Sequence, residues 1–235
     1  AKPAGMIREM SETEKRQMKE ASVSIRVACD GLDDRLGKIE LDDRHIRFKR
    51  RRNSMGKIKL CGCAAIGAAL CVGAPAIAGY VDIGGGWAAE WDDSLDPYVN
   101  IEAVGVQGDA VHIRKIAEFT QGSEGGVFPS IPIVFRQTEL GAAEFIVIDD
   151  ELITNSTGED WYDFHMQLIN GDDAFFDVER TMNSGGGGPI GWTIDPFQQA
   201  EYSDDLKGLD FWDGTIADGG QWRPGAGGGQ LWIDV

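Results

Sequence analysis

The residue types that carry most enzyme chemistry are scarce in the larger part of this 235-residue chain. The four cysteines all lie before residue 79: Cys29, Cys61, Cys63 and Cys71. Residues 79–235, here called the body, contain two histidines, His112 and His165. This inventory excludes a cysteine nucleophile, a disulfide within the body and a zinc site with three His or Cys ligands. No G-x-S-x-G elbow surrounds a serine, so the sequence favours a noncatalytic body.

Carboxylates are the abundant chemical resource, because the body has 29 acidic and 6 basic residues. Two carboxylates held about 5 to 9.5 Å apart could hydrolyse a glycosidic bond, so a carboxylate-dependent glycosidase is an alternative. Closely spaced acids could also ligate calcium, which takes six to eight oxygens. The candidate groups are Asp92, Asp93 and Asp96, then Asp149, Asp150 and Glu151, then Asp204 and Asp205. Apart from this calcium alternative, we predict no cofactor.

Tryptophans are the other concentrated resource, and all seven lie in the body. Four sit beside turn residues and could stack on sugar rings, as in a glycan-binding module: Trp87, Trp91, Trp212 and Trp222. The competing interpretation, which we favour, is that the indoles fill a core, because large aromatic side chains dominate core burial.

The charge is divided unevenly along the chain. The net charge is −17, but residues 1–78 hold 16 basic and 10 acidic residues, so the body is much more acidic than the total suggests. An acidic body repels a phosphate backbone. We therefore predict no nucleic-acid partner, and most of the acids should form a solvated surface.

A leader pattern precedes the body. Lys57 and Lys59 stand before an apolar stretch that ends in Pro75-Ala76-Ile77-Ala78, followed by Gly79. Basic, apolar and small-residue regions in this order predict a signal peptide at 55–78, with Ala76, Ala78 and Gly79 at the cleavage site. The alternative is a signal anchor, because Leu60–Tyr80 has about the 20 residues that a membrane span requires. Residues 1–54 are then a charged amino-terminal segment, either cytoplasmic or not translated.

The body reads as an all-β domain, an antiparallel β-sandwich of the jelly-roll or immunoglobulin-like type. Apolar residues alternate or come in short runs between turn residues, without a convincing amphipathic helix. Residues 144–154 and Tyr162–Leu168 are predicted as neighbouring strands joined by a hairpin at 155–160. Further predicted strands are 99–106, 110–116, 131–136, 174–180, 190–194 and 230–235. Glycine-rich segments 185–188 and 225–229 are expected to be mobile loops, and the body is expected to be truncated at its carboxyl end.

One stretch resembles a known family. Residues 153–168 contain Asn155, Thr157, Gly158, Trp161, Asp163, Phe164 and His165. In this pattern the stretch is similar to exported bacterial proteins with a carboxy-terminal Pro-Glu-Pro (PEP-CTERM) sorting signal, although Tyr162 stands where Thr is usual. Residues 209–215 and Gly219-Gly220 resemble the final strands of the same group. No Pro-Glu-Pro motif is present in the sequence.

The resemblance implies export in a Gram-negative bacterium, to the cell surface or into exopolysaccharide. The predicted function is a noncatalytic, secreted protein that acts by binding or display, with exopolysaccharide or other surface proteins as partners. Contact with a membrane is expected only through the leader or a missing carboxy-terminal tail. The alternatives are the glycan-binding module or glycosidase, and a single-pass membrane protein.

Overall fold

The computed structural model describes residues 22–28, 77–124, 126–169 and 173–235. Within these ranges the chain forms thirteen β-strands, a short 3-10 helix (Asp93–Leu95) and one six-residue α-helix, α1 (Val178–Asn183). All of the described residues belong to one compact unit. The predicted all-β fold class is confirmed.

The first sheet has seven strands and is antiparallel at every pairing. Its strands are β1 (Ser22–Ala28), β2 (Ile77–Gly84), β3 (Trp87–Asp92), β6 (Ile131–Gln137), β8 (Trp161–Ile169), β10 (Gln199–Tyr202) and β11 (Gly208–Ile216). The order across the sheet is β10, β11, β8, β1, β6, β3, β2. In β8, Phe164, Met166 and Leu168 are buried as the alternation predicted, but Trp161 is buried and Tyr162 exposed. The β8–β11 register also breaks at this end of β8, between Trp212 and Ile216 of β11.

The second sheet has six strands: β4 (Val99–Gln107), β5 (Ala110–Phe119), β7 (Phe145–Asn155), β9 (Phe175–Phe176), β12 (Gln221–Trp222) and β13 (Leu231–Asp234). The main order is β4, β5, β7, β13, β9, and β12 pairs with a further part of β7. β5 and β7 run parallel, unlike the antiparallel arrangement that we predicted. The apolar run Phe145–Ile148 is buried on both faces, which suits a central strand.

Buried residues of both sheets form one hydrophobic cluster. It includes Ile133 and Phe164 from the first sheet and Ile113 and Ile148 from the second. Phe164 and Trp222, one from each sheet, meet edge to face with ring centroids 4.8 Å apart. Such aromatic pairs add to the free energy gained by burying apolar area.

The predicted hairpin between β7 and β8 is wrong. β7 lies in the second sheet and β8 in the first, so the two strands are not neighbours. The connection 156–160 carries the chain from one sheet to the other. An inter-sheet connection uses the same Asn and Gly turn residues as a hairpin. These residues therefore could not distinguish a crossing from a hairpin.

Two predicted strands are also corrected. In 174–180, the strand β9 covers Phe175–Phe176, and Asp177 then caps α1 by accepting a hydrogen bond from the Arg180 backbone N–H. Residues 190–194 form a turn, a bend and irregular chain instead of a strand, although Ile190, Trp192 and Ile194 are buried. Their apolar alternation comes from the burial of loop side chains. This burial produces the same sequence pattern as a strand.

The glycine-rich segments pack closely against the core and against each other. A Cβ atom on Gly186 would lie 2.3 Å from the Gly191 carbonyl oxygen and 2.5 Å from that of Gly228. Thr193 Oγ1 also donates a hydrogen bond to the Gly228 oxygen at 2.9 Å. The two segments, which were expected to be mobile loops, thus contact each other through their backbones, because the missing side chains let the backbones approach.

The strand boundaries extend beyond the predicted body. β2 begins at Ile77, and β1 comes from the amino-terminal segment, where Ser22–Val27 alternates in the sequence. β1 fills the centre of the first sheet, and its Ile25 is 1% exposed.

Candidate functional site

A cleft of about 570 Å³ opens where three strand connections meet. Its walls come from the β2–β3 turn at Gly85-Gly86, the β4–β5 turn at Gly108-Asp109, and the longer β6–β7 connection at 138–144. Loops gathered at one place on a rigid sheet scaffold are where binding residues are most often found.

The β2–β3 turn is built by two consecutive glycines with positive φ angles, 59° at Gly85 and 79° at Gly86. This is the backbone that a two-residue hairpin turn of type I′ requires, and glycine adopts it without strain. Space also favours glycine, since a Cβ atom on Gly85 would lie 2.4 Å from Val111 Cγ2.

Backbone hydrogen bonds attach the other two connections to this turn. Thr138 donates its N–H to the Gly86 carbonyl at 2.7 Å, and Ala143 donates to the Gly85 carbonyl at 2.8 Å. Glu144 donates to the Asp109 carbonyl at 2.9 Å. The cleft walls are therefore connected to one another by hydrogen bonds.

The cleft is anionic. Four carboxylates line it, Asp82, Asp109, Glu139 and Glu144, and its lining contains no basic side chain. Asp82 Oδ1 accepts the Gly84 N–H at 2.9 Å. A lining of this kind can accept hydrogen bonds from hydroxyl or ammonium groups and disfavours anions.

The four tryptophans proposed for glycan stacking do not form one surface. Trp87, Trp91 and Trp222 are 3%, 9% and 0% exposed, and Trp212 is half-buried on β11. Trp87 Nε1 donates to the Ala143 carbonyl at 2.9 Å, and Trp222 Nε1 donates to the Ile194 carbonyl at 3.0 Å. The three buried indoles are core residues and offer no face to a sugar ring.

The first calcium candidate lies at the 3-10 helix, where its carboxylates make local contacts. Asp92 Oδ1 accepts hydrogen bonds from the Ser94 N–H and hydroxyl, and these bonds lower the pKa of the Asp92 carboxyl. Asp96 Oδ1 accepts the Trp91 indole N–H at 2.9 Å, while Asp93 is exposed. Across the described ranges, no three His, Cys, Asp or Glu side chains converge as metal ligands.

Each histidine of the body pairs with an aspartate on a neighbouring strand. His112 Nδ1 lies 2.8 Å from Asp149 Oδ1, which also accepts the Gln230 amide at 2.7 Å. His165 Nδ1 lies 2.6 Å from Asp210 Oδ1. His112 is 3% exposed, so it belongs to the packed part of the second sheet.

The pair of Lys115 and Glu151 is the charged group that sequence reasoning missed. The two residues are partners in the parallel β5–β7 register, and Lys115 Nζ lies 2.7 Å from Glu151 Oε1. Their side chains are 1% and 0% exposed, and burial raises the pKa of the Glu151 carboxyl. The signal that could have revealed this pair is the alternation along β5. Lys115 lies on the same face of the strand as Val111, Ile113 and Ala117, which predicts that it is buried with them.

Four residues of the stretch 153–168 hold the connection between the sheets. Asn155 is fully buried, and its side-chain amide donates to the Glu159 carbonyl at 2.8 Å and the Ile216 carbonyl at 3.0 Å. Its Oδ1 accepts the Thr157 N–H and hydroxyl. Gly158 has a φ of +83°, and Trp161 is buried against Phe119. These four residues therefore have structural roles at the crossing from β7 to β8.

The predicted cleavage site falls at the start of β2. Ile77, Ala78 and Gly79 are the first three residues of that strand, while Ala76 and the earlier residues of the predicted leader lie outside the described ranges. No helix formed by the described residues reaches the length and apolarity of a membrane span.

Comparison of the chain with protein-family models, with curated protein sequences and with solved structures gave no match.

Proposed function

We propose that this chain is an exported, noncatalytic protein that acts by binding or display at the surface of a Gram-negative bacterium or in its exopolysaccharide matrix. In this proposal the leader at 55–78 is removed between Ala78 and Gly79. The two sheets form a β-sandwich of the jelly-roll or immunoglobulin-like class, with calcium as an optional ligand of exposed acids.

The observation that carries the proposal is the excess of acidic over basic residues in the body. Basic residues of the body form ion pairs within it: Arg114 with Asp150, Lys115 with Glu151, Arg136 with Glu90, and Arg180 with Asp177. The body holds 29 acidic residues against six basic ones, so its own basic side chains can neutralise only a minority of its acidic side chains. A strongly anionic, hydrated surface keeps a protein soluble and monodisperse outside the cell.

The cross-sheet aromatic contacts support the sandwich. Phe211 of the first sheet and Trp222 of the second lie with their ring centroids 5.0 Å apart. The acidic cleft supports a binding role, because its carboxylates suit hydroxyl-rich or cationic groups of a matrix.

The decisive experiment determines where the amino terminus of the exported product lies. The chain is expressed in a Gram-negative host, and the extracytoplasmic fraction is examined by intact mass and amino-terminal sequencing. We expect a new terminus at Gly79, since small residues before it admit a signal peptidase.

A matched pair of variants controls the measurement. Ala78→Arg should block processing, whereas Ala68→Leu, in the apolar stretch, should leave it intact. Retention of Met55 in the exported protein, or a product confined to the cytoplasm, contradicts the proposal.

A further inference from the structure

The central strand of the first sheet comes from the part of the chain that precedes the predicted leader. β1 pairs with β6 over six residue pairs, from Ser22 with Arg136 to Val27 with Ile131. It pairs with β8 over five, from Ser24 with Ile169 to Ala28 with His165. Both edges of β1 are therefore hydrogen-bonded to the body.

The groove that β1 fills, between β6 and β8, is here called the β1 groove. Both walls are antiparallel to β1, so β6 and β8 run parallel to each other. They lie two strand spacings apart, about 9 to 10 Å. Closing this gap without a strand would require half of the sheet to slide across the second sheet and lose its packing. The groove therefore calls for an extended strand, antiparallel to both walls.

The register defines the chemistry of the occupant. Ile25 is 1% exposed and lies between Ile133 of β6 and Leu168 of β8, which are both buried. Val23 and Val27 follow the same parity as Ile25, opposite Phe135 and Ile131. The groove thus fits a seven-residue segment with apolar residues at alternate positions and small or polar ones between them.

The covalent link between this strand and the body passes through the predicted leader. Cleavage after Ala78, on which this inference rests through the proposed function, would detach Ser22–Ala28 from the exported body. The freed body would then present two unpaired strand edges and an apolar floor, which is the arrangement that captures a peptide by strand addition.

We propose that the β1 groove is a strand-acceptor site, and that in the exported body it binds an extended segment of another polypeptide with the alternating apolar pattern of Ser22–Ala28. The backbone hydrogen bonds of β6 and β8 supply affinity that is independent of sequence. The core-facing position occupied by Ile25 supplies specificity.

The test starts from the full chain. A recognition sequence for a specific protease is inserted between Ala28 and Ile77. The purified chain is cut and unfolded in urea, its amino-terminal fragment is removed in urea, and the remainder is refolded by dilution. The refolding buffer contains an excess of a dye-labelled synthetic peptide with the sequence of residues 22–28. Peptide incorporation is measured by size-exclusion chromatography, and native mass spectrometry gives the number bound.

We expect one labelled peptide per body. The matched peptide carrying Ile25→Asp should bind at least about 30-fold more weakly, because its ionised carboxylate would find no partner in the core. The Ile25→Val peptide should bind within about 10-fold of the original. The uncut chain, which refolds with its own strand in place, should take up no peptide.

Three results would overturn the proposal. The first is equal incorporation of the original and Ile25→Asp peptides. The second is a cut chain that does not refold with peptide although the uncut chain refolds in the same buffer. The third is a body that pairs with a second copy and excludes the peptide. Because this experiment uses no secretion, its result is independent of the amino-terminal sequencing that tests export.

Discussion

Lys115 and Glu151 are a buried ion pair with no further hydrogen-bond partner among the described residues. Taking two charges out of water costs several kcal/mol per ion, and the attraction between the two charges offsets only part of this desolvation cost. The pair therefore contributes little net stability while both members are present. Removing one member exposes the full cost, because the other charge is then buried alone.

We predict that Lys115→Met lowers the free energy of unfolding by about 3 to 5 kcal/mol at neutral pH, measured by urea denaturation. The double variant Lys115→Met/Glu151→Leu should recover most of this loss, since apolar residues of similar size often replace a buried pair without penalty. A single variant that costs less than about 1 kcal/mol would show that the pair is not isolated from water.

The loss in Lys115→Met should also depend on pH. Burial raises the pKa of the Glu151 carboxyl above its ordinary value of 4.5, and Lys115 opposes the rise. Without the lysine the folded-state pKa rises further, so the folded variant holds its proton more tightly than the unfolded chain. The contribution of Glu151 to the stability of the variant is then fully present below pH 4.5 and is lost as pH rises through the folded-state pKa.

Denaturation curves at several pH values should therefore show the gap to the parent protein narrowing from neutral pH towards 4.5. A gap that stays constant would mean that the Glu151 carboxyl has the same protonation in the folded variant as in the folded parent.

Single residues were predicted with uneven success. The preference for core tryptophans agrees with the burial of Trp87 and Trp222, because indole size alone argues for burial. The cleft carboxylates could not be selected from 29 acids, since Asp82, Asp109 and Glu139 lie far apart in the chain. Only the folded connections bring them together.

At the scale of elements, the connection from β7 to β8 depends on the buried side chain of Asn155. Its side-chain NH2 group donates to the carbonyls of Glu159 and Ile216, and its side-chain oxygen accepts the Thr157 N–H. One residue therefore fixes both ends of the crossing. A shorter or apolar side chain would leave several buried polar groups without partners.

We predict that Asn155→Ala lowers the free energy of unfolding by about 2 to 4 kcal/mol. Asn100→Ala, at an exposed position of β4, is the matched control and should change stability by less than about 0.5 kcal/mol. Equal effects of the two changes in a thermal or urea denaturation series would argue against this role of Asn155.

The packed glycine segments give a second prediction at this scale. Gly186→Ala should lower the free energy of unfolding by about 2 kcal/mol or more, because its Cβ would meet the backbone oxygens of Gly191 and Gly228. Gly187→Ala is the control, since nothing lies within 4 Å of its Cβ position, and it should be neutral. Two neutral variants in differential scanning calorimetry would indicate that the segment does not pack.

Element prediction succeeded where periodicity and burial agree. Residues 99–106, 110–116 and 131–136 are strands, as their alternation indicates. Pairing failed for β7 and β8 because a strand pattern does not state which sheet the strand joins. The turn chemistry of 155–160 is common to hairpins and crossings.

At the scale of the whole molecule, the many acidic residues destabilise the folded state. Charges of one sign repel, and the repulsion is greatest when few counterions screen it. The Debye length shrinks from about 30 Å at 0.01 M salt to about 10 Å at 0.1 M.

We therefore predict that raising sodium chloride from about 0.02 to 0.5 M increases the Tm by about 2 to 4 °C, which corresponds to about 1 kcal/mol for a chain of this size. A variant with three exposed acids neutralised, Glu102→Gln, Glu201→Gln and Asp204→Asn, should respond less to salt. Equal responses would attribute the effect to general salting-out rather than to charge screening.

The position of β1 also sets an order for synthesis. Ile25 lies beside Leu168, so the centre of the first sheet is incomplete until the ribosome has released β8. The hairpin contacts of β2 with β3 and of β4 with β5 join neighbouring parts of the chain and can form much earlier. In the uncut chain, Ser22–Ala28 must therefore stay unpaired until β6 and β8 have been translated, and a chaperone that holds extended segments would serve that interval.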